Sequence, residues 1–206
     1  ELRIREELGR DMHDDLGAGL SGMKLRSEMA ARSEPDPAKR EHHLELARQS
    51  GELISSLRQI IWAMNSDQGS LADLVAYATA YARNYLTENG LRPEIQAEGP
   101  WPAIQLTSEQ RRNLFLVLKE ALHNVVKHAK ASHVDVRLGW QHNGTGGRLD
   151  LVVADDGIGL PRGTGQPGNG LRNIRQRITA LGGTVTMHGE HGTVVTCQVP
   201  LNGAHA

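Results

Sequence analysis

The 206-residue chain has a single cysteine, no long apolar run and almost no net charge. Cys197 therefore has no partner for an internal disulfide, and its place in an alternating apolar run predicts a buried, reduced thiol. No stretch approaches the roughly 20 apolar residues that a membrane-spanning helix needs. The charged opening ELRIREELGR does not resemble a signal peptide. A formal charge of −1 gives no overall pull toward polyanions, and no local basic patch replaces it, so no nucleic-acid partner is expected. These absences fit the cytoplasm. The chain opens on Glu1 in mid-helix pattern, so we expect a cytoplasmic fragment whose upstream part is a sensor region or an inner-membrane anchor.

What is present divides into two halves of different periodicity. Ile4, Leu8, Met12, Leu16, Leu20 and Met23 recur at steps of three or four, which predicts a helix over 2–33. The turn SEPDP at 33–37 follows, and Leu46, Leu53, Leu57, Ile60 and Met64 mark a second helix. Such a hairpin has too narrow a core to stand alone, and pairing two copies into a four-helix bundle solves that, so a homodimer is expected. After residues 65–70 the pattern becomes mixed. Helices are predicted near 71–89, 108–129 and 171–181. Strands are predicted near 93–98, 133–140, 148–155, 183–189 and 192–200, with HNGTGG as a hairpin connection. The fold class is α+β, a helical hairpin followed by an α/β sandwich whose helices pack on one face of a largely antiparallel sheet.

Two stretches carry chemistry. In LKEALHNVVKHA, residues 118–129, Glu120 and Asn124 share a helix face, with Lys127 and His128 on the next turn; Leu114, Leu118, Ala121 and Val125 form the opposite, buried side. Asparagine is a poor residue inside a helix, and its side-chain oxygen can help hold Mg²⁺ beside a carboxylate and a phosphate-seeking lysine. In VVADDGIGLPRGTGQPGNGLRNIRQRI, residues 152–178, a strand ends in aspartate and a loop with Gly157, Gly159, Gly163, Gly165, Gly168 and Gly170 opens a helix. Glycines let backbone amides approach phosphates, and the helix N-terminus favours anions. The spacing matches neither a P-loop nor a Rossmann fingerprint.

These motifs resemble the Bergerat-type ATPase fold shared by gyrase-like ATPases and sensor histidine kinases. Glu120 with Asn124 resembles the N box, and Asp155-Asp156-Gly157-Ile158-Gly159 the first glycine box. Gly168-Asn169-Gly170-Leu171 resembles the second glycine box, and Gly192-Thr193-Val194-Val195 the closing Gly-Thr strand. The resemblance implies ATP and Mg²⁺ as cofactors. Asp155 would accept a hydrogen bond from the adenine amino group, Asn124 would be the metal ligand, Lys127 would approach the phosphates with His128 beside it, and Thr193 would assist adenine recognition. The loop 157–170 would be the ATP lid.

The first half adds Arg10-Asp11-Met12-His13-Asp14-Asp15-Leu16, which resembles the H box of the histidine kinase subfamily typified by nitrate and membrane-fluidity sensors; LRQIIWAMN at 57–65 resembles the end of that subfamily's second helix. The resemblance divides the chain into a dimerisation and phosphoacceptor domain, 1–66, and a catalytic ATP-binding domain, 67–206. It implies autophosphorylation of His13, with Asp14 fixing the ring's tautomer, Glu120 supporting the transfer, and a response-regulator receiver domain as the next acceptor. A metal site at His13 is disfavoured, because adjacent helix residues diverge by about 100°. One departure stands out: where relatives that also dephosphorylate their regulators often place glutamine, this chain has Ala18, so phosphatase activity is expected to be weak. Two readings compete with the kinase. One is an ATPase of this fold with water as acceptor, which the H box opposes. The other is a nucleotide-binding scaffold without catalysis, which the intact Glu120, Asn124, Lys127 and Asp155 set opposes.

Overall fold

The computed structural model describes residues 17–64, 69–143, 146–160, 169–189 and 191–202. Among the predicted residues, 2–16 of the first helix, with His13 and Asp14, lie outside this set, as do the hairpin tip 144–145 and Gly163, Gly165 and Gly168. The chain divides into two compact units, Glu1–Asp67 and Gln68–Ala206.

The described part of the first unit is a helical hairpin, α1 (Gly17–Ser33) packed against α2 (Pro37–Met64). The predicted turn works through Asp36, whose carboxylate accepts the backbone N–H of Ala38 at 2.9 Å, while Pro37 takes the first helical position, where no N–H is needed. Small residues fill the seam: Ala31, Ala47 and Ser50 are buried, and the Ser50 hydroxyl donates to the Leu46 carbonyl at 2.9 Å. Larger apolar side chains stay uncovered, with Met23, Leu25, Met29 and Leu53 each more than half exposed.

The second unit begins with β1 (Gly69–Ser70), which pairs with β3 (Gln105–Leu106). Ser70 then caps α3 (Leu71–Glu88) through a reciprocal box with Asp73, and Thr107 does the same with Gln110 for α4 (Ser108–Asn124). Between the helices lies β2 (Arg92–Ala97), and after α4 come β4 (His133–Asn143), β5 (Gly146–Asp155), α5 (Asn169–Ala180), β6 (Thr184–His188) and β7 (Val194–Asn202). The sheet order is β2-β4-β5-β7-β6, antiparallel except for the β2–β4 pair. Alternation sorts its faces. Val134, Val136, Leu149, Leu151, Val153, Val195, Cys197 and Val199 are buried with the apolar sides of α3, α4 and α5, while Glu94, Arg137 and Gln141 reach solvent on the other face. Cys197 is 1% exposed, and burial pushes its thiol up to about 12, the inert thiol expected from the sequence.

One element departs from its prediction. The helix expected over 108–129 is α-helical only to Asn124; Val125–Ala129 widen into a π-helical turn, and Lys130 is left-handed at φ 52°. The wider turn delivers the Ala129 carbonyl to the backbone N–H of Ile158, which donates to it at 2.9 Å. The two-residue ribbon β1–β3 was invisible to alternation because neither strand is long enough to alternate. There Gly69 leaves room for the buried Arg111 guanidinium, which a side chain would displace.

Candidate active site

The second half of α4 positions a polar stripe. His123 and Asn124 follow Glu120 by three and four residues and Lys127 follows Asn124 by three, so they share one side while Leu114, Leu118 and Leu122 sink into the core. The π-helical turn then carries Lys127 and His128, both exposed, up to the loop after β5. Gly157 sits against the Ala129 carbonyl, where a Cβ would clash with backbone.

The strand ends β5 and β7 meet at the same place. Asp155 donates its backbone N–H to the Thr193 carbonyl at 2.9 Å, and Gly192 donates to the Gly157 carbonyl at 2.7 Å. The Asp155 carboxylate accepts the Gly157 N–H at 2.9 Å. Its neighbour Asp156 turns elsewhere: it accepts the backbone N–H groups of Ser132 and His133 at 2.7 and 2.9 Å and the Ser132 hydroxyl at 2.7 Å. Those hydrogen bonds, led by the His133 amide, hold its carboxyl down at about 2. Of the two adjacent aspartates, Asp156 ties loop to strand and Asp155 is left to face the cavity.

That cavity encloses about 440 Å³. Among the predicted site residues, Glu120, Asn124, Lys127, His128, Asp155, Gly159, Gly170, Leu171 and Thr193 line it. Gly157 stands behind the wall, packed on Ala129, and His13, Asp14 and Gly168 lie outside the described residues. The remaining lining has no site role in the sequence reading: Val153 and Val195 from the sheet, Ala121, Val125 and Ala129 from the helix, Leu160 from the loop, and His123. Val153 and Val195 were legible as inward strand residues, but not as the wall of a cavity. Ala121 and Val125, expected only as core, face this space as well. The result is a cavity with a dry apolar wall and a charged rim, suited to a ligand with a flat ring and an anionic tail.

Donors for a cation are sparse. Among the described residues no group of three His, Cys, Asp or Glu side chains could hold a metal. Glu120 and Asn124 nonetheless converge under Gly170, where a Cβ would fall on Glu120 Oε1 and lie 3.1 Å from Asn124 Oδ1. Among the described residues the buried Asn124 Nδ2 has no hydrogen-bond partner. This donor set fits Mg²⁺, which takes few protein oxygens and completes its shell with water and phosphate.

The model for histidine kinases matches residues 5–69, and the model for histidine kinase-, DNA gyrase B- and HSP90-like ATPases matches residues 109–203. The chain belongs to the sensor histidine kinases. It is 36% identical over 208 residues to the signal transduction histidine-protein kinase/phosphatase UhpB of Salmonella typhimurium, covering 97% of this chain and 39% of that relative. It is 29% identical to the sensor histidine kinase DesK of Bacillus subtilis, covering 98% and 52%. The chain thus spans about two fifths to one half of these relatives. The histidine kinase domain of the Erythrobacter litoralis EL346 blue-light activated kinase shares the fold, with a TM-score of 0.56 at 18% identity, covering 89% of this chain and 94% of that one. The two matched modules give this chain a histidine kinase segment followed by an ATPase domain of a class that uses ATP. No described helix of this histidine kinase is long and apolar enough to cross a membrane.

Proposed function

We propose that this core binds ATP with Mg²⁺ in the cavity between α4, β5 and α5, phosphorylates its own His13, and passes the phosphoryl group to an aspartate of a response-regulator receiver domain. The observation that carries this reading is the convergence of Glu120, Asn124, Lys127, Asp155 and Thr193 on one cavity. The dry side formed by Val153, Val195 and Ala121 receives the adenine ring, with Asp155 accepting from its amino group and Thr193 beside it. Lys127 and His128 face the phosphates from the exposed π-helical turn, with Gly159, Gly170 and Leu171 lining the same cavity. Asn124 and Glu120 hold Mg²⁺, which when bound neutralises charge on the phosphate chain. In the transfer, the neutral His13 imidazole attacks the γ-phosphorus, the N–P bond forms as the bond to ADP breaks, and the Asp14 carboxylate balances the charge gained by the ring.

Residues 1–66 serve as the dimerisation and phosphoacceptor domain and residues 67–206 as the catalytic domain. The exposed Met23, Leu25, Met29 and Leu53 are the surface that a second hairpin covers in a homodimer. The core works in the cytoplasm, joined to a sensor region or membrane anchor upstream. UhpB carries both kinase and phosphatase in its name; for this chain only the kinase is proposed as strong, because Ala18 offers no amide to position water. Incubation with γ-labelled ATP tests the reading. Acid-labile label is expected on the wild type and none on His13→Gln; label persisting on the variant overturns it.

A further inference from the structure

The chain contains three tyrosines and one phenylalanine, and all four stand in one file. Tyr77 and Tyr81 each place a ring 5.1 Å from Phe115, and Tyr81 stacks on Tyr85 at 5.6 Å and 11°. The file ends at the cavity, where the Tyr85 hydroxyl and His123 Nδ1 are 3.2 Å apart. His123 is a lining residue with no role in the reading above, and it shares its helix side with Glu120, Asn124 and Lys127. Both His123 and Lys127 are exposed, which sets them at the wet rim and away from the apolar wall of Val153 and Val195.

We propose that His123 is a further nucleotide-contacting residue, donating from Nε2 to the phosphate chain of ATP, and that Tyr85 is its positioning residue. A tyrosine O–H that donates to Nδ1 leaves the neutral ring's proton on Nε2, fixing both the tautomer and the plane of the ring. The stacked file holds Tyr85 in turn, so the geometry of α3 is transmitted to the phosphate end of the site. This inference rests on the proposed function, since it requires ATP in this cavity.

The test uses the whole chain with ATP and Mg²⁺, measuring affinity by calorimetry and autophosphorylation by kinetics. His123→Ala is expected to weaken ATP affinity about tenfold, the size of one lost hydrogen bond to a charged group, with KM rising in step and kcat much less affected. His123→Gln, whose amide donates from a similar place, is expected to recover most of that loss. Tyr85→Phe is expected to cost about threefold alone and nothing further in the His123→Ala background, the coupling of two residues acting as one. Adenosine, which lacks phosphates, is expected to bind all variants alike. Unchanged ATP affinity in His123→Ala, an equal loss for adenosine, or no recovery with glutamine overturns the inference. Asn124→Ala separates the two readings: if it loses Mg²⁺-dependent ATP binding while His123→Ala does not, only the role of His123 falls. If neither variant loses binding, the nucleotide site itself falls.

Discussion

Gly170 lies directly over Glu120: a side chain at residue 170 would meet the Glu120 carboxylate and press on the Asn124 amide 3.1 Å away. Residue 170 sits in the first turn of α5, where alanine is favoured over glycine by roughly 0.5–1 kcal/mol. Stability and function therefore separate in Gly170→Ala. Thermal unfolding is expected to stay at or slightly above the wild-type midpoint, while autophosphorylation falls on the order of 100-fold as the carboxylate is pushed off its position. Full activity with the alanine would show that the closeness of the two residues is incidental.

Asp156 makes stability depend on acid. Its hydrogen bonds from His133 and Ser132 lower its carboxyl from 3.8 to about 2. A depressed folded-state value means that the stabilisation is present above 3.8, declines as pH falls, and is gone below about 2. Asp156→Asn removes both the charge and the titration. The variant is expected to melt lower at neutral pH and to lose less on acidification between pH 4 and pH 2, while ATP affinity holds because Asp156 faces Ser132. Melting curves collected across that range, together with one nucleotide titration, decide it.

Gly192 combines two constraints. Its φ is 76°, and a Cβ there would run into the Asp155 carbonyl. Gly192→Ala should therefore destabilise by about 1–3 kcal/mol from backbone strain alone, with more from the clash. The expected result is a lower denaturant midpoint with an unchanged slope. An unaltered midpoint would mean that the β5–β7 ends relax freely.

Legibility followed the reach of each signal. The stripe Glu120–Asn124–Lys127 could be read because helical spacing is local, and Asp155 because an alternating strand stops there. Periodicity alone could not say which of Asp155 and Asp156 faces the cavity, since that is decided by Ser132 and His133, more than twenty residues away. The π-helical turn left no mark in the spacing, because Val125–Ala129 continue the helical pattern and only the bond between Ile158 and Ala129 needs the wider turn. Nothing local marks His123 either, because its partner Tyr85 is 38 positions away on another helix. Local pattern thus found the polar stripe, while the dry wall and its supports required tertiary pairing.

Ala18 gives the last prediction. It is exposed in the first turn of α1, so a longer side chain meets no packing cost there. Alanine has no group that can orient a water against a phosphoaspartate, whereas a glutamine amide both donates and accepts. With a phosphorylated cognate receiver domain, the wild-type chain is expected to leave the rate of phosphate loss near the receiver's own. Ala18→Gln is expected to raise that rate on the order of tenfold or more by aligning the water, and to keep autophosphorylation because no group assigned to the kinase step is removed. Rapid phosphate loss driven by the wild type without ATP turnover would refute the argument, because it would place the water-aligning group somewhere other than residue 18.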